Sequence, residues 1–510
     1  MNIATRLWEA AAARPDHPAV VFEDQAIRYA ELKDQTARFA GFLEQQGLRP
    51  GDVIAIYLES CPELIVAYLG AVSAGVVPNV VNASLRPEEV RLVVSDSRAL
   101  LLVTDPTRWE SLEPVREALG TCRPTVLTGT APPAPATLAF DAVLAGAPSG
   151  FEPLDLPPDT LASLLYTSGT TGFAKGVMLS HRNIDDNAEN FAKVHYNAND
   201  RLLVAAPLFH CWGLINGVLA MIAVRGTAIL IRRYRTEATL ALIEQARPTI
   251  MLGVATMINY MSKSPNFASR DRSSLRVVLC AAAPMPLELI ETLRQVWNVG
   301  YAESYGLTET SPVITTTPPQ AMRPGSCGRA MGDTTLKVMD AEGNPVPTGD
   351  IGELWAHGTA IAAGYYGKPE ITAQAFTPDG WFRTGDIVRI DADGYVYIVD
   401  RVKDMINVGG EKVYPRDVEE VLHRHPAVAD AVVVGIPDPN LGEVVKAYVA
   451  LKPDQTWTAD SVVDYLRPEL AAFKLPRCVE FIPEIPRSVS GKALRRLLRT
   501  TAESEPATRG

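Results

Sequence analysis

Cysteines at metal-binding or redox spacing are missing from this chain. The six it has, Cys61, Cys122, Cys211, Cys280, Cys327 and Cys478, are scattered through 510 residues, and none belongs to a C-x-x-C pair. This argues against a zinc site or a disulfide frame and for free thiols in a reducing compartment. A basic surplus is missing as well: 48 Lys and Arg face 59 Asp and Glu, for a formal net charge of −11. General binding to nucleic acid or to an anionic membrane needs a basic face, so both are disfavoured; a local basic pocket for a nucleotide stays compatible. Long apolar runs are also missing. The longest, Leu64 to Pro78, is interrupted by Gly70, Gly75 and Pro78 and falls short of the roughly 20 residues a spanning helix requires. The opening Met1-Asn-Ile-Ala-Thr-Arg-Leu-Trp lacks the apolar core of a signal peptide. A soluble, cytoplasmic protein without a membrane span is expected. No Ser-His-Asp grouping, H-E-x-x-H or dinucleotide G-x-G-x-x-G is evident either.

What is present is ordinary in bulk and distinctive in one stretch. Hydrophobic residues at 47% and charged residues at 21% suit a globular enzyme, and 510 residues are too many for one compact core. The stretch is Tyr166-Thr-Ser-Gly-Thr-Thr-Gly-Phe-Ala-Lys-Gly176, which follows the strand-like run Leu161 to Tyr166. Gly169, Gly172 and Gly176 let backbone N–H groups approach an anion closely. Thr167, Ser168, Thr170 and Thr171 add hydroxyl donors, and Lys175 adds a point charge. Gly/Ser/Thr clusters usually mark a solvent loop, but this order of residues suits a loop that wraps a polyphosphate. It is not a P-loop, because G-x-x-G-x-x-K replaces G-x-x-x-x-G-K-[ST] and no Ser or Thr follows Lys175.

Upstream, helical periodicity over residues 30–47, Pro62–Ser73 and Pro87–Ser95 alternates with short strands at Val53–Leu58, Val76–Val81 and Ala99–Val103. Such alternation implies parallel sheets covered by helices. The Pro-, Ala- and Gly-rich residues 130–160 read as a loop. Downstream come a strand at Leu202–Ala206, the segment Pro207-Leu-Phe-His-Cys-Trp-Gly213, an apolar helix over Leu214–Val224 and strands at Ala228–Ile231 and Leu275–Cys280. Tyr305, Thr308 and Glu309 then fall within five residues of one another: a Tyr can stack on adenine, a Thr can bond phosphate and a Glu can hold Mg²⁺. Short alternating segments after Pro324-Gly-Ser-Cys-Gly328 and Gly349-Asp-Ile-Gly-Glu-Leu354 suggest a β-rich subdomain. Asp386 can accept ribose hydroxyls, though a lone Thr-Gly-Asp is more often a turn. Arg401 can reach ribose or phosphate, and Gly409–Gly410 gives a turn that another molecule can approach closely. From Pro415 a helix (Asp417–Arg424), two strands (Val428–Gly435, Glu443–Leu451) and a helix (Asp460–Leu470) form an α+β unit of about a hundred residues. Lys492 lies in a basic run that would ordinarily be solvated surface, and 501–510 read as a disordered tail.

In this order the segments resemble the adenylate-forming superfamily of acyl-CoA synthetases, aryl-CoA ligases, luciferases and peptide-synthetase adenylation domains. The likeness spans nearly the whole chain. It implies an α/β fold with a large domain of helix-covered sheets plus a β-rich subdomain over 1–400, and a small mobile α+β domain over 401–500. It further implies that 167–172 and Lys175 bind the phosphates of ATP. Tyr305 and Asp386 would hold the nucleoside, Thr308 and Glu309 the phosphate and Mg²⁺, and Lys492 would be the catalytic lysine. His210 would close the acyl pocket and help bind the nucleotide. Trp212 reads as pocket wall or as core packing. Lys403 would be the hinge, and Gly409 and Gly410 would line the tunnel for the thiol arm of coenzyme A. Two departures stand out. Ala174 replaces a usual proline, and Ala281, Ala282 and Ala283 replace a Gly-rich turn against the acyl chain, which narrows the space there.

The implied chemistry joins a carboxylate to ATP, so it needs positioning and charge neutralisation and no nucleophilic side chain. Lys492 and Gly409–Gly410 serve different steps, so the small domain would alternate between two orientations. Apolar residues over Pro207–Gly217, without an acidic partner for an amine, favour a fatty or aromatic acid over an amino acid. CoA is the expected acceptor, with a carrier-protein phosphopantetheine as the alternative. A monooxygenase and a non-catalytic acyl-AMP binder are further readings. Monomer and homodimer both stay open.

Overall fold

In a computed structural model the chain is described for residues 1–120, 122, 124–129, 137–167, 174–282, 285–402, 404–487, 493–495 and 497–499. The expectations for Ser168, Gly169, Thr170, Thr171, Gly172, Ala283, Lys403, Lys492 and the tail 501–510 lie outside the described residues. The chain forms two compact units, one of Met1–Thr335 with Ala356–Phe382 and the other of Leu336–Trp355 with Arg383–Gly510.

The first unit contains two seven-stranded sheets. One runs in the order Gly300–Glu303, Val277–Ala281, Ile250–Val254, Arg201–Val204, Thr227–Leu230, Pro18–Phe22, Gln25–Arg28, all parallel but for the last hairpin. The other runs Thr137–Ala139, Thr125–Leu127, Leu101–Thr104, Val53–Tyr57, Val77–Val80, Leu161–Thr167, Lys175–Ser180, with only the last pair antiparallel. Strands such as Val53–Tyr57 and Ile250–Val254 are buried at every residue, as parallel strands covered on both faces must be. Helix Pro62–Ser73 is apolar all round and buried from Leu64 to Ser73. It packs closely on helix Tyr29–Gln45, for a Cβ on Gly70 would stand 2.9 Å from the Phe39 ring.

The helix-covered parallel sheets agree with the sequence reading. Residues 130–160 do not form the expected loop throughout: Thr137–Ala139 pairs with Thr125–Leu127, and Phe140–Gly146 is a helix. Its apolar side is anchored by Phe140, whose ring lies 5.5 Å from that of Phe39. The expected helix over Leu214–Val224 begins earlier, as a π-helical segment Trp212–Leu219 that continues into an α-helix Ala220–Val224.

The second unit holds a sheet ordered Thr335–Met339, Ile351–His357, Phe382–Ile390, Val396–Arg401, and a five-stranded sheet built on the long antiparallel pair Val428–Asp438 and Gly442–Leu451. Residues 383–400, grouped with the large domain on sequence, fall in this unit. Helix Pro415–His423 buries Val418, Val421 and Leu422 against Ile406, Val433 and Val449, while its outward Arg416 and Glu420 pair at 3.0 Å.

Two histidines of the first unit carry a stability cost in acid. Burial pushes His181 down to about 4 and His195 down to about 3. His181 Nδ1 accepts from the Ile3 N–H at 3.2 Å, and His195 Nε2 meets Thr316 Oγ1 at 2.9 Å. Both folded values lie below that of an unfolded histidine, near 6.5, so the unfolded chain binds more protons as pH drops. Their stabilising effect is complete above pH ~6.5 and is lost below it. Denaturant unfolding at pH 7 and pH 5 is expected to show a fall of about 2 kcal/mol per histidine, reduced in the His195→Gln variant.

Candidate active site

The segment between Thr167 and Lys175 joins two antiparallel strands whose terminal register pair is Thr167↔Lys175. The base of this hairpin is clamped. Tyr166 Oη donates to Asp96 Oδ2 at 2.7 Å, and Lys368 Nζ donates to Asp96 Oδ1 at 2.8 Å. Burial, reinforced by Asp96, raises the Tyr166 phenol well above its ordinary value, so it stays a donor. Its ring lies flat against Gly176, where a Cβ would come within 2.8 Å of Cζ. Only glycine fits there, which gives this residue of the motif a packing role.

Tyr305 and Gly306 open a short strand, and Thr308–Thr310 make one 3₁₀ turn. Gly306 lets the chain fold back, since a Cβ on it would fall 1.6 Å from the Pro312 carbonyl oxygen. Glu309 is buried; its Oε1 accepts from Tyr365 Oη at 2.9 Å, and its backbone carbonyl accepts from the Ala362 N–H at 2.9 Å. Lys175 Nζ sits 5.0 Å above the centroid of the same Tyr365 ring. Two motifs far apart in sequence thus meet on one tyrosine.

Asn187, on helix His181–His195, fixes the turn from behind. Its Nδ2 donates to the carbonyls of Thr310 at 3.2 Å and Val313 at 2.7 Å, and its Oδ1 accepts from Asn216 Nδ2 at 3.1 Å. Asn216 belongs to the π-helical segment, so a buried amide pair ties three segments together.

The Pro207–Gly213 segment reaches the same region. Cys211 Sγ lies 3.7 Å from Thr308 Oγ1, next to His210, whose ring is 4.8 Å from that of Phe209. Trp212 is buried, edge-on to Phe191 at 5.4 Å, and its Nε1 donates to the Gly253 carbonyl at 2.9 Å. Gly253 lies on the strand beside the one that ends at Ala281, so His210, Trp212 and Ala281 are gathered near the strands' carboxyl ends. Ala282 adopts φ 71°, a left-handed conformation that glycine takes without strain.

Several site-forming residues carry no sequence motif. Ala362, Tyr365 and Tyr366 are bound into both chemical segments, since the Tyr366 N–H donates to Gly176 O at 2.8 Å and Met178 N–H to Gly364 O at 3.0 Å. Glu303 is a buried carboxylate that accepts from Tyr301 Oη and, at 3.2 Å, from the Met285 N–H. A buried Asn on an otherwise amphipathic helix face was the only trace of Asn187 in the sequence.

In the second unit, Asp386 and Arg401 face each other across adjacent strands, with Oδ1 and Nε 2.7 Å apart. Asp386 is buried, and a carboxylate can accept from more than one donor. Gly409 and Gly410 take φ 61° and 97°, as the sequence reading requires of a tight turn, and Gly410 N–H donates to Asn407 Oδ1 at 2.9 Å. Beside them is a cavity of about 420 Å³ walled by Val408, Gly409, Leu441, Phe473 and Arg477. Among the described residues no cluster of three or more His, Cys, Asp or Glu can hold a metal.

Helix-covered parallel sheets in which the strand Lys175–Ser180 meets a Tyr-Gly-x-Thr-Glu turn through Tyr365 define an adenylate-forming enzyme. The chain belongs to the AMP-binding enzyme family, whose model matches residues 7–366, while the AMP-binding enzyme C-terminal domain matches residues 417–492. It is 36% identical to a feruloyl-CoA synthase of Amycolatopsis sp. over 96% of this chain and 97% of that protein. It is 35% identical to the fatty acid–[acyl-carrier-protein] ligase ScoC of Streptomyces coeruleorubidus over 95% and 93%. The anthranilate CoA ligase AuaEII, solved in complex with anthranoyl-AMP, superposes with a TM-score of 0.92 at 28% identity, covering 99% of this chain and 97% of that one.

Replacing Asn187 by Leu leaves the Thr310 and Val313 carbonyls without their buried donor. We expect a loss of about 2–4 kcal/mol in unfolding free energy by denaturant titration and a raised KM for ATP.

Proposed function

We propose that the protein is an ATP-dependent, AMP-forming ligase that activates a fatty or aromatic carboxylic acid as its acyl-adenylate and passes the acyl group to coenzyme A. The observation that supports this reading is the meeting of Lys175, on the Gly-rich segment, with Thr308 and Glu309, on the Thr-Glu turn, around Tyr365. In the first step a substrate carboxylate oxygen attacks the α-phosphorus of ATP and diphosphate leaves. In the second the thiol sulfur attacks the acyl carbon, the thiol proton is lost and AMP leaves. Residues 167–172 and Lys175 bind the phosphates, Thr308 donates to the α-phosphate, and Lys492 supplies positive charge to the oxygens that gain it.

Glu309 suits Mg²⁺. A buried carboxylate with no three-ligand cage among the described residues matches an ion that keeps its waters and takes its remaining ligands from substrate phosphates. The ion, when bound, neutralises charge on the phosphate oxygens. Tyr305 and Asp386 hold the nucleoside, and Arg401 reaches its ribose or phosphate. His210, Trp212 and Ala281–Ala283 bound the acyl site, and Gly409 and Gly410 admit the pantetheine arm, with Lys403 as hinge. The free cysteines, most of them buried, suit a cytoplasmic location.

The feruloyl-CoA synthase likeness supports CoA as acceptor, and the ScoC likeness keeps a carrier-protein phosphopantetheine as the second reading. A panel of hexanoate, palmitate, benzoate, ferulate and sulfoacetate, scored by diphosphate release and by product mass with CoA or a carrier protein, tests both. Diphosphate release with none of them would refute the ligase reading. Lys492→Ala is expected to lower adenylate formation about 10²-fold or more while acyl transfer from supplied acyl-AMP persists. Equal loss of both steps would contradict the alternation of the small domain.

A further inference from the structure

Lys175 and Glu309 carry opposite charges and, on the reading above, both act on one ATP: the lysine on its phosphates, the carboxylate on its cation. Two such groups in a buried site tend to neutralise each other by pairing directly. No ion pair joins them here. The Tyr365 side chain engages both, giving its π face to Lys175 Nζ at 5.0 Å and its hydroxyl to Glu309 Oε1 at 2.9 Å. A ring face attracts an ammonium without consuming the carboxylate. The hydroxyl occupies one carboxylate oxygen and so fixes the orientation of the other.

Tyr365 is itself firmly set. Its backbone N–H donates to Thr372 Oγ1 at 2.9 Å, and its ring meets Phe376 edge-on at 5.7 Å. The preceding Gly364 has φ 131°, and a Cβ there would lie 2.4 Å from Thr372 Cγ2. The Ala362 N–H holds the backbone of Glu309 while the Tyr366 N–H holds Gly176, so the same short segment fixes both partners.

We propose that Tyr365 is a positioning residue for adenylate formation, which orients Glu309 for Mg²⁺ and keeps Lys175 from being captured by it. This rests on the ligase reading, and calorimetric titration of the full-length protein with ATP, in Mg²⁺ and in EDTA, separates the two. Tyr365→Phe keeps the ring and removes the hydroxyl. Its ATP affinity in EDTA is expected to stay within about twofold of the parent, while the tightening by Mg²⁺ shrinks about fivefold or more. Tyr365→Leu removes the ring as well, and is expected to weaken ATP in EDTA too, because Lys175 then pairs with Glu309. The inference is overturned if Tyr365→Phe keeps the full Mg²⁺ effect, or if it weakens ATP equally with and without Mg²⁺, the mark of a general structural role. Failure of the parent protein to bind ATP at all would sink the ligase reading instead.

Discussion

A buried carboxylate held by the hydroxyl of one tyrosine is the constraint on which this structure depends. Glu309 is buried, with 9% of its surface exposed, so its charge has to be held by protein donors. The Tyr365 hydroxyl supplies one, and the backbone of the same segment, through Ala362, fixes the turn that carries the carboxylate. Because that segment also bonds Gly176 and Met178, the acidic turn and the Gly-rich hairpin cannot drift apart independently.

The scaffold behind them is tied by buried amides, though Asn216 Oδ1 itself has no hydrogen-bond partner. Asn187 and Asn216 are fully enclosed amides, costly to bury unless paired. Their bonds go to each other and to the 310–313 turn, linking the helix that follows the hairpin with the π-helical segment after Trp212. The 310–313 turn is thereby attached to rigid elements, and the rigid elements are the apolar strands and helices of a parallel-sheet core.

Much of this was legible in the sequence, and for definite reasons. Helix Pro62–Ser73 is found at the expected residues because proline starts it and a largely apolar run, with Gly70 in it, fills it. The strands after Gly51, Gly75 and Arg98 follow from short Val/Ile/Leu runs between breakers. Phe140–Gly146 was obscured by its Pro- and Ala-rich surroundings, and its helix depends on a contact with Phe39, remote in the chain. The chemical motifs stood out because glycine, hydroxyl and charge occur there in an order that packing alone does not demand.

The sequence by itself determined the residue types that can meet a nucleotide and the period of the elements that carry them, since both are local properties of a few consecutive side chains. The tertiary structure alone decided that Tyr365 contacts both Lys175 and Glu309, that Asn187 reaches the 310–313 turn, and that Asp386 faces Arg401. Those are pairings between residues remote in the chain or on separate strands. Their geometry is set by how sheets and helices stack, and no run of neighbouring residues encodes it.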